Sequence, residues 1–184
     1  MKVLFLANIP SPYRVDFFNE FGKYCELTVL FERKKADDRE WTSNNNTNFK
    51  AIYLNGIKKG SDTAFCISVI KYLSQRFDYI IIGGYSTPTG MLAILYLRLI
   101  HKRYILSCDG GFIRKSEKKI NYKIKKFFIS KADCYLSTGK ICTEYLEYYG
   151  AKKGKIHYYP FTSLYKKDIL THALNKKEKE FLKN

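Results

Sequence analysis

Residues 79–90 read Tyr79-Ile80-Ile81-Ile82-Gly83-Gly84-Tyr85-Ser86-Thr87-Pro88-Thr89-Gly90 and run straight into the largely apolar stretch 91–100. Consecutive β-favouring apolar residues predict a strand buried on both faces, and the glycine pair and polar turn that follow lead into a helix. In an open α/β sheet the turn after a strand's carboxyl end is where ligands bind, because the next helix presents free N–H groups there. The same order recurs at Leu4-Phe5-Leu6-Ala7-Asn8 before Pro10-Ser11-Pro12-Tyr13-Arg14. It recurs again at Ile105-Leu106-Ser107-Cys108 before Asp109-Gly110-Gly111. Three such loops on one edge predict a binding cleft.

Working outward, strands are expected at Lys2–Ala7, Glu26–Phe31, 50–54, 78–82, 103–107, 133–136 and 155–159. Between them lie helical patterns at 14–24, 63–76 (with Asp62 as N-cap), 90–101, 116–130 and 139–149, the last stopped by Gly150. This alternation predicts βαβ units: an α/β, three-layer Rossmann-like domain with a mostly parallel, doubly wound sheet of about seven strands. Residues 33–49 break the pattern, being polar and Asn-rich with the single tryptophan, Trp41. They read as a long surface loop in which Trp41 either anchors the loop or packs over a ligand. Residues 166–184 read as a charged helical tail or linker.

The 184 residues are 46% apolar, enough for one domain with a real core. Lys and Arg number 33 against 17 Asp and Glu, a net charge of +16, which favours anionic partners or is simply a solvated Lys-rich surface. The five cysteines include no Cys-x-x-Cys spacing, and the three histidines are far apart, so no zinc site is expected. The pattern suits a reducing cytoplasm. Residues 79–97 carry no charge, but Gly83, Gly84, Pro88 and Gly90 interrupt them, so strand, loop and helix are expected rather than a membrane span. The apolar N-terminus lacks a small-residue cleavage site and reads as a first strand.

No Gly-x-Gly-x-x-Gly follows the first strand, which disfavours dinucleotide binding. A phosphate-cradling Gly-x-x-x-x-Gly-Lys-Ser/Thr loop and a Gly-x-Ser-x-Gly elbow are missing too. The first loop offers Ser11, Tyr13 and Arg14, whose guanidinium either holds a phosphate or carboxylate or pairs locally with Asp16 or Glu20. Gly84, Tyr85 and Ser86, with Thr87, suit recognition of sugar hydroxyls or form a capped tight turn. Asp109 reads as a carboxylate facing the cleft that orients an acceptor hydroxyl, or as a turn-stabilising residue.

Residues 114–131 carry eight basic residues and one acid, Glu117. Ile120, Ile124, Phe127 and Phe128 make one helical stripe, expected to face the sheet. Lys118, Lys119, Tyr122, Lys123, Lys125 and Lys126, with Phe112 and Ile113 upstream, predict contact with an anionic membrane surface. A nucleic-acid-binding module is the alternative for so basic a chain. No RNA-binding signature is present and the strands read as buried, so no nucleic acid is expected.

Together these features resemble the N-terminal, acceptor-side domain of the family 4-like glycosyltransferases, whose GT-B fold sets two Rossmann-like domains face to face. The resemblance rests on residues 3–14 with Phe17-Phe18-Asn19-Glu20 behind them, on 78–84, and on Ser107-Cys108-Asp109-Gly110-Gly111. It continues through 131–133, Ser137-Thr138-Gly139-Lys140 and 155–161, spanning 1–165. It implies transfer of a sugar from a nucleotide-sugar donor, with retained anomeric configuration and without metal or other cofactor, to a sugar or lipid-linked acceptor. It also places Gly110 and Thr138 among the substrate-binding residues. The donor would be gripped mainly by a C-terminal half through a Glu-x7-Glu region, for which Glu178 and Glu180 of the polar tail do not stand in. The chain therefore reads as the acceptor-binding half of a hexosyltransferase of bacterial capsule, lipopolysaccharide or glycolipid synthesis, cytoplasmic and peripheral on the inner face of the plasma membrane. It is expected to be inactive without the donor-binding half, in the same or a separate chain. Half of a sugar-nucleotide epimerase is a further alternative sharing the two-domain plan.

Overall fold

The computed structural model describes residues 1–38, 48–114 and 116–160, together with Ile169 and Ala173. Trp41 and most of the 166–184 tail lie outside the described residues. Seven parallel strands form one sheet, in the order β3 (Lys50–Tyr53), β2 (Glu26–Phe31), β1 (Lys2–Ala7), β6 (Tyr79–Ile82), β7 (Ile105–Cys108), β8 (Cys134–Ser137) and β9 (Ile156–Tyr158). Strand β1 is an interior strand, in register with β2 from Lys2 opposite Glu26 and with β6 from Val3 opposite Tyr79. Its Val3, Leu4, Phe5 and Leu6 are all buried, as a strand covered on both faces requires. Gly83 follows from that packing, because a Cβ there would come within 2.6 Å of the Leu6 carbonyl and 2.8 Å of the Phe5 ring.

Helix α1 (Pro12–Phe21) covers one face, where Phe18 and Phe5 meet edge to face with centroids 4.9 Å apart. It starts two residues before the expected position, on Pro12, whose fixed φ suits a first helical turn. The other face carries α2 (Val69–Leu73), α3 (Pro88–Leu99), α4 (Lys119–Ile129) and α5 (Lys140–Tyr148). Helix α5 ends as expected at Gly150, φ +93°. Among the described residues no helix is long and apolar enough to cross a membrane.

Two expectations fail. The helix expected over 63–76 is instead a hairpin of β4 (Ile57–Lys59) and β5 (Thr63–Phe65), followed by the short α2. The cause is tertiary: the buried Glu32 carboxylate takes the Ala64 N–H at 3.0 Å and the Thr89 hydroxyl takes the Cys66 N–H at 3.0 Å, so this backbone is held extended. Asp62 caps no helix and accepts from the Asn8 amide at 2.9 Å. The stripe on α4 is also turned. Only Phe128 of the four is buried, while Ile120, Ile124 and Phe127 are exposed. The helix leans inward through Tyr122, Lys125, Phe128 and Ile129 instead.

Candidate functional site

All seven strands run the same way, so their carboxyl ends share one edge, and the order reverses between β1 and β6. At that crevice lies a cavity of about 280 Å³. It is lined by the turns after β1 (Asn8, Ser11, Tyr13, Arg14), β6 (Gly84, Tyr85, Ser86, Thr87) and β7 (Asp109, Gly110), and by Glu32 after β2. The sequence-predicted Ser11, Tyr13, Arg14, Gly84, Tyr85, Ser86, Asp109 and Gly110 are thus brought together. Thr138 is not, because β8 lies beyond β7, the outermost strand on that side whose turn reaches the cavity.

Arg14 and Asp109, 95 residues apart, form an ion pair through Nη2 and Oδ2. The guanidinium is buried (side chain 9% exposed) and the carboxylate is half open to solvent at 44%. Arg14 therefore binds a carboxylate of the protein itself, supplied by the turn after β7. The pair fixes the direction of Asp109 and leaves Oδ1 able to accept a ligand hydroxyl. Behind it the Tyr159 hydroxyl lies 2.8 Å from Ser107 Oγ. Thr87 acts as the N-cap of α3, accepting from the Gly90 N–H at 2.9 Å, so the turn reading of that residue holds.

Glu32, Asn8 and Asp62 are lining residues that no local pattern disclosed. Glu32 is 3% exposed; Thr87 donates to its Oε1 at 2.5 Å and Ala64 N–H to its Oε2. Burial pushes its carboxyl up to about 7, against the lowering by Thr87 and Ala64 and with a further push from Asp62. A carboxyl raised in the folded state favours the protonated protein, so its contribution to stability falls as pH rises from about 4.5 to about 7. Thermal melts across that window should show wild type losing stability relative to Glu32→Gln; parallel curves would contradict the shift. Burial and the neighbouring Tyr145 hydroxyl also raise Tyr85, which stays a protonated phenol.

Hydroxyls and peptide groups line the cavity, with one half-exposed carboxylate, Asp109, oriented by Arg14 and a second, buried one, Glu32, held by Thr87 and Ala64. Among the described residues no group of three or more His, Cys, Asp or Glu side chains could hold a metal ion.

No protein-family model and no curated protein matches the sequence. Solved structures do. A crystal structure of Anabaena Alr3699/HepE in complex with UDP and glucose superposes with TM-score 0.54 at 9% identity, covering 86% of this chain and 44% of that one. The HepE structure with UDP gives 0.55, 10%, 86% and 43%. That with UDP-glucose gives 0.55, 9%, 86% and 43%. The chain therefore shares its fold with part of HepE. The chain spans less than half the length of the HepE chains it matches.

The six residues expected at a membrane divide. Lys118, Lys119, Lys123 and Lys126 are exposed. Lys125 turns inward, 2.6 Å from Glu117 and 3.2 Å from the Tyr149 hydroxyl, and Tyr122 packs on Tyr148 and Tyr149. Both correct the sequence expectation: α4 uses them to dock on α5.

Proposed function

We propose that this chain is the acceptor-binding half of a retaining glycosyltransferase, a hexosyltransferase once joined to a donor-binding half, acting in bacterial surface polysaccharide or glycolipid synthesis. The observation that carries the reading is the switch-point cavity, where Asp109 is aimed by buried Arg14 amid hydroxyl-bearing turns. The fold shared with HepE, seen bound to UDP and glucose, supports it. In this reading Asp109 accepts a hydrogen bond from the acceptor hydroxyl, and Ser11, Tyr13, Ser86 and Gly84 contact the acceptor. The donor is a nucleotide sugar held mainly by the other half, with no metal. Supplying a matching donor-binding half, in the same chain or separately, should give acceptor-dependent sugar transfer that Asp109→Asn lowers about 100-fold. No turnover in the joined protein would remove the proposal.

The acceptor is sugar or lipid-linked, and α4 brings the cavity to a membrane on the cytoplasmic side. Its exposed Ile120, Ile124 and Phe127 lie among Lys119, Lys123 and Lys126, with exposed Phe112 and Ile113 just before the helix. Lysines near anionic lipid contribute about 1 kcal/mol each, so Lys119→Gln with Lys123→Gln should weaken binding to phosphatidylserine vesicles about thirtyfold. Neutral phosphatidylcholine vesicles should bind both proteins equally weakly. Equal sedimentation of wild type and variant with anionic vesicles would end the membrane proposal.

A further inference from the structure

Tyr145 lies on α5 and does not line the cavity, yet it touches two of the turns that do. Its hydroxyl is hydrogen-bonded to that of Tyr85, in the turn after β6. Its ring lies under Gly111, in the turn that carries Asp109: a Cβ on Gly111 would meet ring atoms at 2.8 Å, and φ there is +153°. The ring is in turn fixed from behind. Tyr149 meets it edge to face with centroids 4.8 Å apart. Tyr149 donates to Glu117 at 2.6 Å and accepts from Lys125 at 3.2 Å, and Glu117 pairs with Lys125 at 2.6 Å. Glu117 belongs to the same β7–α4 connection that begins at Asp109, so both ends of that connection rest on the tyrosine pair.

We infer that Tyr145 is a positioning residue that ties the Tyr85 turn and the Asp109 turn into one geometry, backed by Tyr149, Glu117 and Lys125. It rests on the reading of the cavity as the acceptor site, and it assigns a role to residues outside that cavity. The physical reason is that both turns are short, glycine-containing backbone whose other anchors, Arg14 on Asp109 and Glu32 on Thr87, each hold one turn and not the other. Without a shared partner the two turns would keep those separate anchors but shift relative to one another, and the acceptor would have to set their spacing on binding. The hydroxyl serves one turn and the ring serves the other, so the two contributions separate by mutation.

Hydrogen–deuterium exchange on the full chain tests the tie without any need for activity. Tyr145→Phe keeps the ring and should speed exchange of amides 84–87 about fivefold while leaving 109–112 within about twofold. Tyr145→Leu should speed both segments, and Tyr148→Phe, one turn position away and exposed, should speed neither. In the joined enzyme Tyr145→Phe should raise the acceptor KM about tenfold with kcat and donor KM within about twofold. Tyr85→Phe with Tyr145→Phe should be no worse than either alone, because both remove one shared hydrogen bond. Unchanged exchange at 84–87, an equal rise throughout the chain, or a loss in kcat alone would overturn the inference. A joined wild-type protein that transfers no sugar while the exchange pattern holds would instead sink the glycosyltransferase reading.

Discussion

An Asp109→Ala variant should lose about 3 kcal/mol of unfolding free energy in urea titrations, and Arg14→Met only about 1 kcal/mol. The asymmetry follows from burial. Removing the carboxylate takes the counter-charge from a guanidinium whose side chain is only 9% exposed, and breaking a buried ion pair by deleting one member costs several kcal/mol. Removing the guanidinium strands a carboxylate that is 44% exposed and can turn to water, while Met keeps the apolar stem packed. Equal losses, or a larger loss for Arg14→Met, would mean that the pair is not oriented as described. In the joined enzyme both variants should impair transfer, since Asp109 without Arg14 is an undirected acid.

Gly90→Ala is the second large effect, and its sign runs against helix propensity. In an ordinary helix interior this change stabilises by about 1 kcal/mol. Here a Cβ would meet the Gly84 carbonyl oxygen at 1.8 Å and Thr87 Oγ1 at 2.9 Å, and backbone cannot yield as a flexible side chain does. The turn must be pushed off the start of α3, breaking the Thr87 cap and moving Tyr85 and Ser86 out of the cavity wall. The expected net loss is about 3 kcal/mol. Gly154→Ala, whose Cβ would meet nothing within 4 Å, should stay within about 0.5 kcal/mol of wild type in the same titration. A stabilised Gly90→Ala protein would contradict the packing described for this turn.

The parallel sheet was legible because its signal is local. Runs such as Val3-Leu4-Phe5-Leu6 and Ile80-Ile81-Ile82 are apolar at every position, and only a strand covered on both faces uses that pattern in so short a span. The three carboxyl-end turns were legible for the same reason, each following its strand directly. What escaped the sequence was set by partners far along the chain. The helical spacing of Ile70 and Leu73 does end in a helix, α2, but nothing near residue 64 reveals that Glu32 will capture its N–H and hold residues 63–65 as a strand of the hairpin. Nothing near Arg14 reveals Asp109, and the local acids Asp16 and Glu20 were the natural candidates. The period of the α4 stripe was read correctly, but period does not say which way a stripe points. The inward direction was set by Lys125 and Tyr122 finding Glu117, Tyr148 and Tyr149.

The central claim is that an acceptor sugar sits at the β1–β6 crevice against Asp109. Amide NMR of the uniformly labelled chain, titrated with a panel of neutral mono- and disaccharides, addresses it most directly. For at least one sugar the account predicts saturable shifts confined to Gly84, Ser86, Asp109 and Gly110, lost in Asp109→Ala. Saturable shifts clustered at the opposite edge of the sheet, or unaltered by that substitution, would contradict it.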